Sequence, residues 1–356
     1  MLMVVGIHAY NLNPRYLQPW TTPAEQLTVT SFTEYLLSNG LFRFCIPMFA
    51  AISGYLYAGK DDEPYKLRTR KRVLTLLLPY LVWSGLILVF IYLFEMYPAS
   101  NKIIAASHVL QIDSTRMLLH DYHWYELLAR WILFPATYQL WFIRVLFIYN
   151  LAYPAISWCV THRVAKWIFF FIALFLWLST AGLIIVEGES LLFFSIGIWM
   201  RKNHFSIDKP TRLLNPAAWG LLYISLAVIQ ALLAFKGQAL LPGNSLFMVL
   251  IVLYKLVVLS GLVTAWYGTG RLVEWCMNRK WFVSFCSFSF IIYVVHAPLI
   301  AFAIDPVFQL LHSILAYRII TYIILPFSLI AFSILVGVLL KKLVPTVYAF
   351  LTGGRG

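Results

Sequence analysis

Uninterrupted apolar runs of about 20 residues leave a chain few choices. A bilayer core is about 30 Å thick, and only a helix satisfies its own backbone hydrogen bonds there. Nine stretches of this chain reach or approach that length, roughly 41–58, 73–94, 138–158, 166–186, 190–200, 216–235, 245–267, 284–303 and 319–340. The stretch at 190–200 is short and fits a broken or tilted helix. Met1–Tyr10 is apolar over about half the required length and reads as the tail of a tenth span. The expected fold is therefore all-α: a polytopic transmembrane helical bundle of about 10 spans, the first N-terminally incomplete, forming a single domain over residues 1–356. Alternating polarity runs through none of these stretches, which argues against a β-barrel. Regions of about 11–40 and 98–130 hold prolines and polar residues and read as long outer loops, with room for short interfacial helices.

The basic residues orient that bundle. There are 27 Lys+Arg against 14 Asp+Glu, a net charge of +13 in a chain that is 62% apolar. One set of alternating loops and the tail holds 18 of the 27, including Lys60, Lys66–Arg72, Arg201, Lys202, Lys209, Arg279 and Arg355. The opposite loops hold 6: Arg15, Lys102, Arg116, Arg130, Lys236 and Arg318. The positive-inside rule then puts both termini in the cytoplasm. That requires an even number of spans, in agreement with counting Met1–Tyr10. Basic residues scattered over many short loops form no basic domain, so nucleic acid is not an expected partner. The four cysteines, Cys45, Cys159, Cys276 and Cys286, form no CxxC pair and give no metal or disulfide framework.

Ionisable groups inside spans are costly and mark functional positions or internal pairings. His8 lies near the outer end of the first span, and an imidazole suits proton transfer near neutral pH. Arg43 stands near the outer end of the second, Arg144 follows Trp141-Phe142-Ile143, and His296 sits deep in the ninth. Each arginine either meets an anion, an acid or carbonyls, or snorkels to the surface. His296 is either a packing histidine or part of a site. Five of the seven residues Lys66–Arg72 are basic. They either seat the phosphates of a nucleotide-bearing cofactor or anchor the topology against anionic lipid. His120-Asp121-Tyr122-His123 has histidines at i and i+3, but no third metal ligand accompanies them.

Read in order, these segments resemble the membrane acyltransferase type 3 family. Gly6-Ile7-His8-Ala9 is similar to its first-helix histidine segment. Arg43 through Pro47 to Ser53-Gly54-Tyr55-Leu56 resembles its second helix. Lys71-Arg72, Leu78-Pro79-Tyr80 and Trp83 resemble the basic loop and third helix. Leu140-Trp141-Phe142-Ile143, Ser289–Pro298 and Thr352-Gly353-Gly354-Arg355 are similar to later motifs. Two positions depart from the family pattern. A basic residue usually stands eleven positions before the histidine, which here precedes Met1. Gln139 stands where one subgroup carries histidine.

The resemblance implies an integral membrane O-acyltransferase that moves an acetyl or other short acyl group from cytoplasmic acyl-CoA (acetyl-CoA) to a hydroxyl of a surface or lipid-linked glycan. Membrane lipids and the glycan are then its partners, and no metal is required. His8 becomes the general base or acyl carrier, and Arg43 a donor to the thioester oxyanion. Arg68, Arg70, Lys71 and Arg72 become contacts for CoA phosphates. Trp141, Arg144 and His296 remain further site candidates, and Ser53 is read as a packing residue. The implied location is the bacterial inner membrane. The eleven-residue offset is about 16 Å along a helix, so the chain as written is expected to be inactive or weakened. The alternatives are a glycan or lipid transporter or flippase without chemistry, or a truncated inactive relative.

Overall fold

The computed structural model describes residues 1–180, 182, 186–205 and 210–354. Lys209, Arg355 and part of the 166–186 stretch lie outside the described residues. The regular elements of the described residues are helices, with one isolated bridge between Gly182 and Glu187. Among the described residues, six helices are long and apolar enough to cross a membrane: Val29–Ala58, Tyr65–Phe94, Pro216–Ala239, Gly243–Gly268, Ser289–Leu311 and Tyr317–Leu343. The pair Tyr138–Leu151 and Tyr153–Thr161, bent by 68°, makes a seventh if counted as one span.

The other expected stretches form shorter helices: Leu2–His8, Ala165–Leu178 and Gly188–Lys202. The last has 15 residues, about 22 Å, short of the apolar core of a bilayer. Its start is fixed by chemistry. The Glu187 carboxylate accepts hydrogen bonds from the backbone N–H groups of Glu189 (3.1 Å) and Ser190 (2.6 Å), capping the helix there.

The chain forms two compact units. The first comprises Met1–Ala9, Thr69–Phe147 and Val283–Gly356; the second comprises Tyr10–Arg68 and Ile148–Phe282.

In the first unit, Ser289–Leu311 and Tyr317–Leu343 pack together, and the short Leu2–His8 helix lies against both. That helix buries Val4, Val5, Gly6 and Ile7, as an apolar face must. The C-terminal helix Pro345–Leu351 docks on Leu78–Phe94, where the Trp83 indole donates to the Leu351 carbonyl at 2.9 Å. Gly353 follows at φ +62°, and a Cβ there would lie 2.9 Å from the Thr75 backbone.

The 98–130 region, expected as a long loop with room for short interfacial helices, contains two such helices packed on a core. Helices Pro98–Ser107 and Trp124–Ile132 enclose a small core of Ile91, Ile104, Leu110, Leu119, Tyr122 and Ala136. The reason is a single buried carboxylate. Glu95 accepts from the Leu119 and His120 backbone N–H groups at 2.9 and 3.1 Å and pairs with His120 Nδ1 at 2.8 Å. Satisfying that carboxylate ties the region to the end of its helix.

In the second unit, Cys45–Ala58 and Gly188–Lys202 approach backbone to backbone. A Cβ on Gly54 would lie 2.0 Å from the Phe194 carbonyl oxygen, and one on Gly197 would lie 2.0 Å from that of Ala51. The Ser53-Gly54 pair therefore stands at a close helix crossing built on small residues. Pro216–Lys236 and Gly243–Gly268 pack together around Phe44, Tyr223, Ala227 and Val257. A π-helical segment, Leu36–Leu41, widens the preceding helix just before Arg43.

Gly54→Val and Gly197→Val are each expected to destabilise the protein by about 1–3 kcal/mol through overpacking. Gly243→Val, where nothing lies within 4 Å of the added Cβ, is the control. Thermal melting of detergent-purified protein reads the difference, and equal midpoints for all three variants would contradict the crossing.

Candidate active site

The first unit brings three rings together. His8 ends the Leu2–His8 helix and is half-buried. Its ring centroid lies 4.9 Å from that of Tyr138, edge to face at 70°. The His296 ring lies 5.6 Å from it, tilted by 31°. His8 and His296 are 288 residues apart in sequence, so only the fold makes them neighbours.

The environment of His296 fixes its tautomer. The side chain is fully buried, and Nδ1 stands 2.9 Å from the Ile292 carbonyl oxygen. A carbonyl only accepts, so Nδ1 carries the proton and Nε2 of the neutral ring carries the lone pair. Among the described residues Nε2 has no hydrogen-bond partner, though it is buried. A buried acceptor without a donor is expensive, and at a functional position it is where a substrate hydroxyl would bind.

A break in the helix holds this histidine in place. Pro298 has no N–H to give the Val294 carbonyl, and Ala297 leaves helical geometry at φ −119°, ψ 139°. The Gln139 amide nitrogen restores the pairing. It lies 3.0 Å from the Tyr293 oxygen, 3.3 Å from that of Val294 and 2.9 Å from that of Ala297. In return the Tyr293 hydroxyl donates to the Gln139 carbonyl. This two-way clamp joins the segment bearing Tyr138 to the helix bearing His296. Sequence reading noted Gln139 only as a departure from the family and did not single out Tyr138. The available signal was an uncharged amide inside an apolar run, which must find partners when buried.

Arg144 belongs to the same unit. It is half-buried, and its Nε and Nη1 have no hydrogen-bond partner among the described residues. Tyr80 is close enough to feel its charge. Trp141, three residues earlier, is half-buried and packs edge to face on Phe142.

Arg43 belongs to the second unit. Its Nε donates to the Ser38 carbonyl at 3.0 Å and its Nη2 to Asn39 Oδ1 at 2.6 Å. The π-helical segment thus supplies both of these acceptors. Arg68 is also in the second unit, buried and turned inward. It lies between the Tyr57 and Tyr153 rings, 4.9 Å from each centroid. Its Nη1 donates to Asp61 Oδ1 at 2.8 Å and to the Tyr57 carbonyl at 3.3 Å. Lys202 and the Tyr153 hydroxyl also bond Asp61. Partial burial pushes the Asp61 carboxyl up, but hydrogen bonds from Lys202, Tyr153 and Arg68 outweigh it and hold the carboxyl below its ordinary range. Arg70 and Lys71 face outward and Arg72 is half-buried, so the basic cluster divides between a structural clasp and an exposed surface.

His120 is engaged by Glu95, and His123 stacks on Tyr125 at 5.3 Å. Among the described residues no three His, Cys, Asp or Glu side chains gather as a metal site.

Comparison with known proteins identifies the family. The family described as an acyltransferase domain, acyltransferase family 3, matches residues 1–342. The succinoglycan biosynthesis protein ExoH of Rhizobium meliloti (strain 1021) is 25% identical over 349 residues, covering 96% of this chain and 87% of that protein. No solved structure matches the chain.

Two outcomes test this geometry. Gln139→Leu strands carbonyls at the helix break and is expected to cost about 1–3 kcal/mol, read as a lowered melting midpoint. Gln139→His keeps one ring N–H donor and should recover part of the loss. Asp61 has a depressed folded pKa, so its clasp contributes stability at neutral pH that is lost as pH falls through that value. Asp61→Asn should therefore melt below the wild type at pH 7, with the gap closing as pH is lowered below about 4.

Proposed function

The chain belongs to the acyltransferase 3 family of membrane acyltransferases, and from that premise we propose that it transfers an acetyl or other short acyl group from cytoplasmic acyl-CoA to a hydroxyl of a surface or lipid-linked glycan. The observation that carries this reading is the His8–His296 pair, with a buried imidazole lone pair beside a second, half-buried imidazole. The relative ExoH is named for the biosynthesis of a glycan, which favours a sugar hydroxyl as acceptor.

In this reading His8 takes the proton from the acceptor hydroxyl as its oxygen attacks the thioester carbonyl. His296 Nε2 accepts a hydrogen bond from the His8 ring or from a neighbouring hydroxyl of the acceptor and so orients the attack. The tetrahedral oxyanion needs cationic or N–H donors. Arg144 is a proposed donor, with Trp141 three residues before it in the same segment, and Arg43 is the donor that the family resemblance implies. On collapse the carbon–sulfur bond breaks, the thiolate takes the proton from His8, and free CoA thiol leaves. The alternative order makes His8 the transient acyl carrier. Arg70, Lys71 and Arg72 receive the CoA phosphates, with Arg68 supporting them from the Asp61 clasp. The distribution of basic residues favours cytoplasmic termini, and the bacterial inner membrane is the proposed location. The short helices Leu2–His8, Ala165–Leu178 and Gly188–Lys202 complete a ten-segment arrangement.

The test is thioester consumption. Protein in liposomes given labelled acetyl-CoA and a membrane glycan fraction should label the glycan and release free thiol. His8→Ala should abolish both while inserting normally; retained transfer removes His8 from the site. Glycan movement without thiol release would favour a flippase. Replacing Arg70, Lys71 and Arg72 together by glutamine should raise the KM for acetyl-CoA about tenfold, equivalent to about 1.4 kcal/mol, with kcat little changed. The wild-type preference should shrink at high salt.

A further inference from the structure

The second unit contains a buried cluster that none of the chemistry above uses. Lys255 lies mid-way along Gly243–Gly268 and is 5% exposed. Its ammonium faces three rings: Trp177 and Tyr254 at 4.9 Å and Trp20 at 5.7 Å. Beside it stands Glu189, also buried, in the first turn of the Gly188–Lys202 helix. Glu189 Oε2 accepts from the Trp177 indole at 3.0 Å and from the Tyr254 hydroxyl at 3.1 Å.

Two features separate this cluster from a structural ion pair. Lys255 makes no hydrogen bond and no ion pair among the described residues, and Glu189 Oε2 is held by neutral donors instead. Cation–π contact is worth up to about 2 kcal/mol when desolvated. It does not replace the hydrogen bonds that three ammonium N–H groups lose on burial. Those donors lack an acceptor, and Glu189 Oε1 likewise takes no hydrogen bond among the described residues. The wall is also prearranged. Trp20 sits on an irregular segment, yet the preceding Pro19 carbonyl is fixed by the Tyr35 hydroxyl at 2.7 Å and the Gln230 amide at 2.8 Å. Trp20 is thereby set edge to face against Tyr254 at 5.4 Å.

We propose that Trp20, Trp177, Tyr254, Lys255 and Glu189 form a binding site for a neutral sugar ring. Aromatic faces pack against the apolar C–H face of a pyranose. An ammonium and a carboxylate side by side donate to and accept from its adjacent hydroxyls. The charge balance favours a neutral ligand: the Glu189 carboxylate and the Lys255 ammonium offset each other, while the Glu187 carboxylate is engaged in capping its helix. The assignment of this sugar as part of the acceptor rests on the proposed glycan acylation, but the binding itself does not.

The experiment separates the two. Full-length protein in nanodiscs, without acyl donor, is titrated with methyl β-D-glucopyranoside and methyl β-D-galactopyranoside, and binding is read by saturation-transfer NMR. At least one glycoside should bind. Trp20→Ala, on the irregular segment, and Lys255→Met should each weaken it at least about tenfold, equivalent to about 1.4 kcal/mol. Leu315→Ala, at an exposed position with no part in either site, should bind as the wild type does. Melting midpoints identify variants that fail to fold, and Trp20→Phe, which keeps a ring, should restore binding if Trp20→Ala proves unstable. Binding of neither glycoside to the wild type overturns the proposal, as does equal binding by folded Trp20→Ala and Lys255→Met. Displacement by inorganic phosphate overturns the neutral-ligand assignment. Sugar binding that survives while thioester transfer is absent leaves this site standing and removes the acylation reading.

Discussion

The pairing of three backbone carbonyls at a helix break is the constraint on which the candidate active site depends. Pro298 removes a donor and Ala297 abandons helical geometry in apolar surroundings, where an unpaired carbonyl costs more than a hydrogen bond normally contributes. Gln139 resolves the deficit from another segment, and Tyr293 returns a hydrogen bond to the Gln139 backbone. Because the clamp spans two parts of the chain, it sets Tyr138 and His296 together. His8 joins them because its short apolar helix packs against the His296 helix. The geometry of the candidate site is thus a by-product of satisfying backbone polarity in a medium without water.

Similar economies recur in the second unit. Glu187 starts a helix partway along a stretch that could otherwise have been longer. Gly54 and Gly197 let two backbones touch, which aligns that short helix with the end of the Val29–Ala58 span. Asp61 gathers Arg68, Lys202 and Tyr153 into one clasp. In each case one polar or small residue decides where a largely featureless apolar helix must lie.

The helical class and the membrane setting were legible in the sequence, because run length and hydrophobicity are local properties. His8 and His296 were both visible as costly ionisable residues in spans, but nothing in the sequence spacing said that they meet. Gln139 was seen only as an exception to a family pattern, since its partners are about 150 residues away (Tyr293 and Ala297). Arg68 was grouped with its basic neighbours by proximity in sequence, whereas helical geometry turns it inward and Arg70 outward. The sequence left room for short helices in the 98–130 region but did not show the core they enclose, because the fixing carboxylate, Glu95, precedes the region and looks like an ordinary helix end.

The central claim is that His8 and His296 act as one unit on the acceptor hydroxyl. A double-mutant cycle tests it most directly, using rates of thioester consumption for His8→Ala, His296→Ala and the double variant. Residues that work together lose their joint contribution when either is removed. The account predicts that the double variant is no slower than the slower single variant. Fully additive losses, or an undiminished rate in His296→Ala, would contradict it.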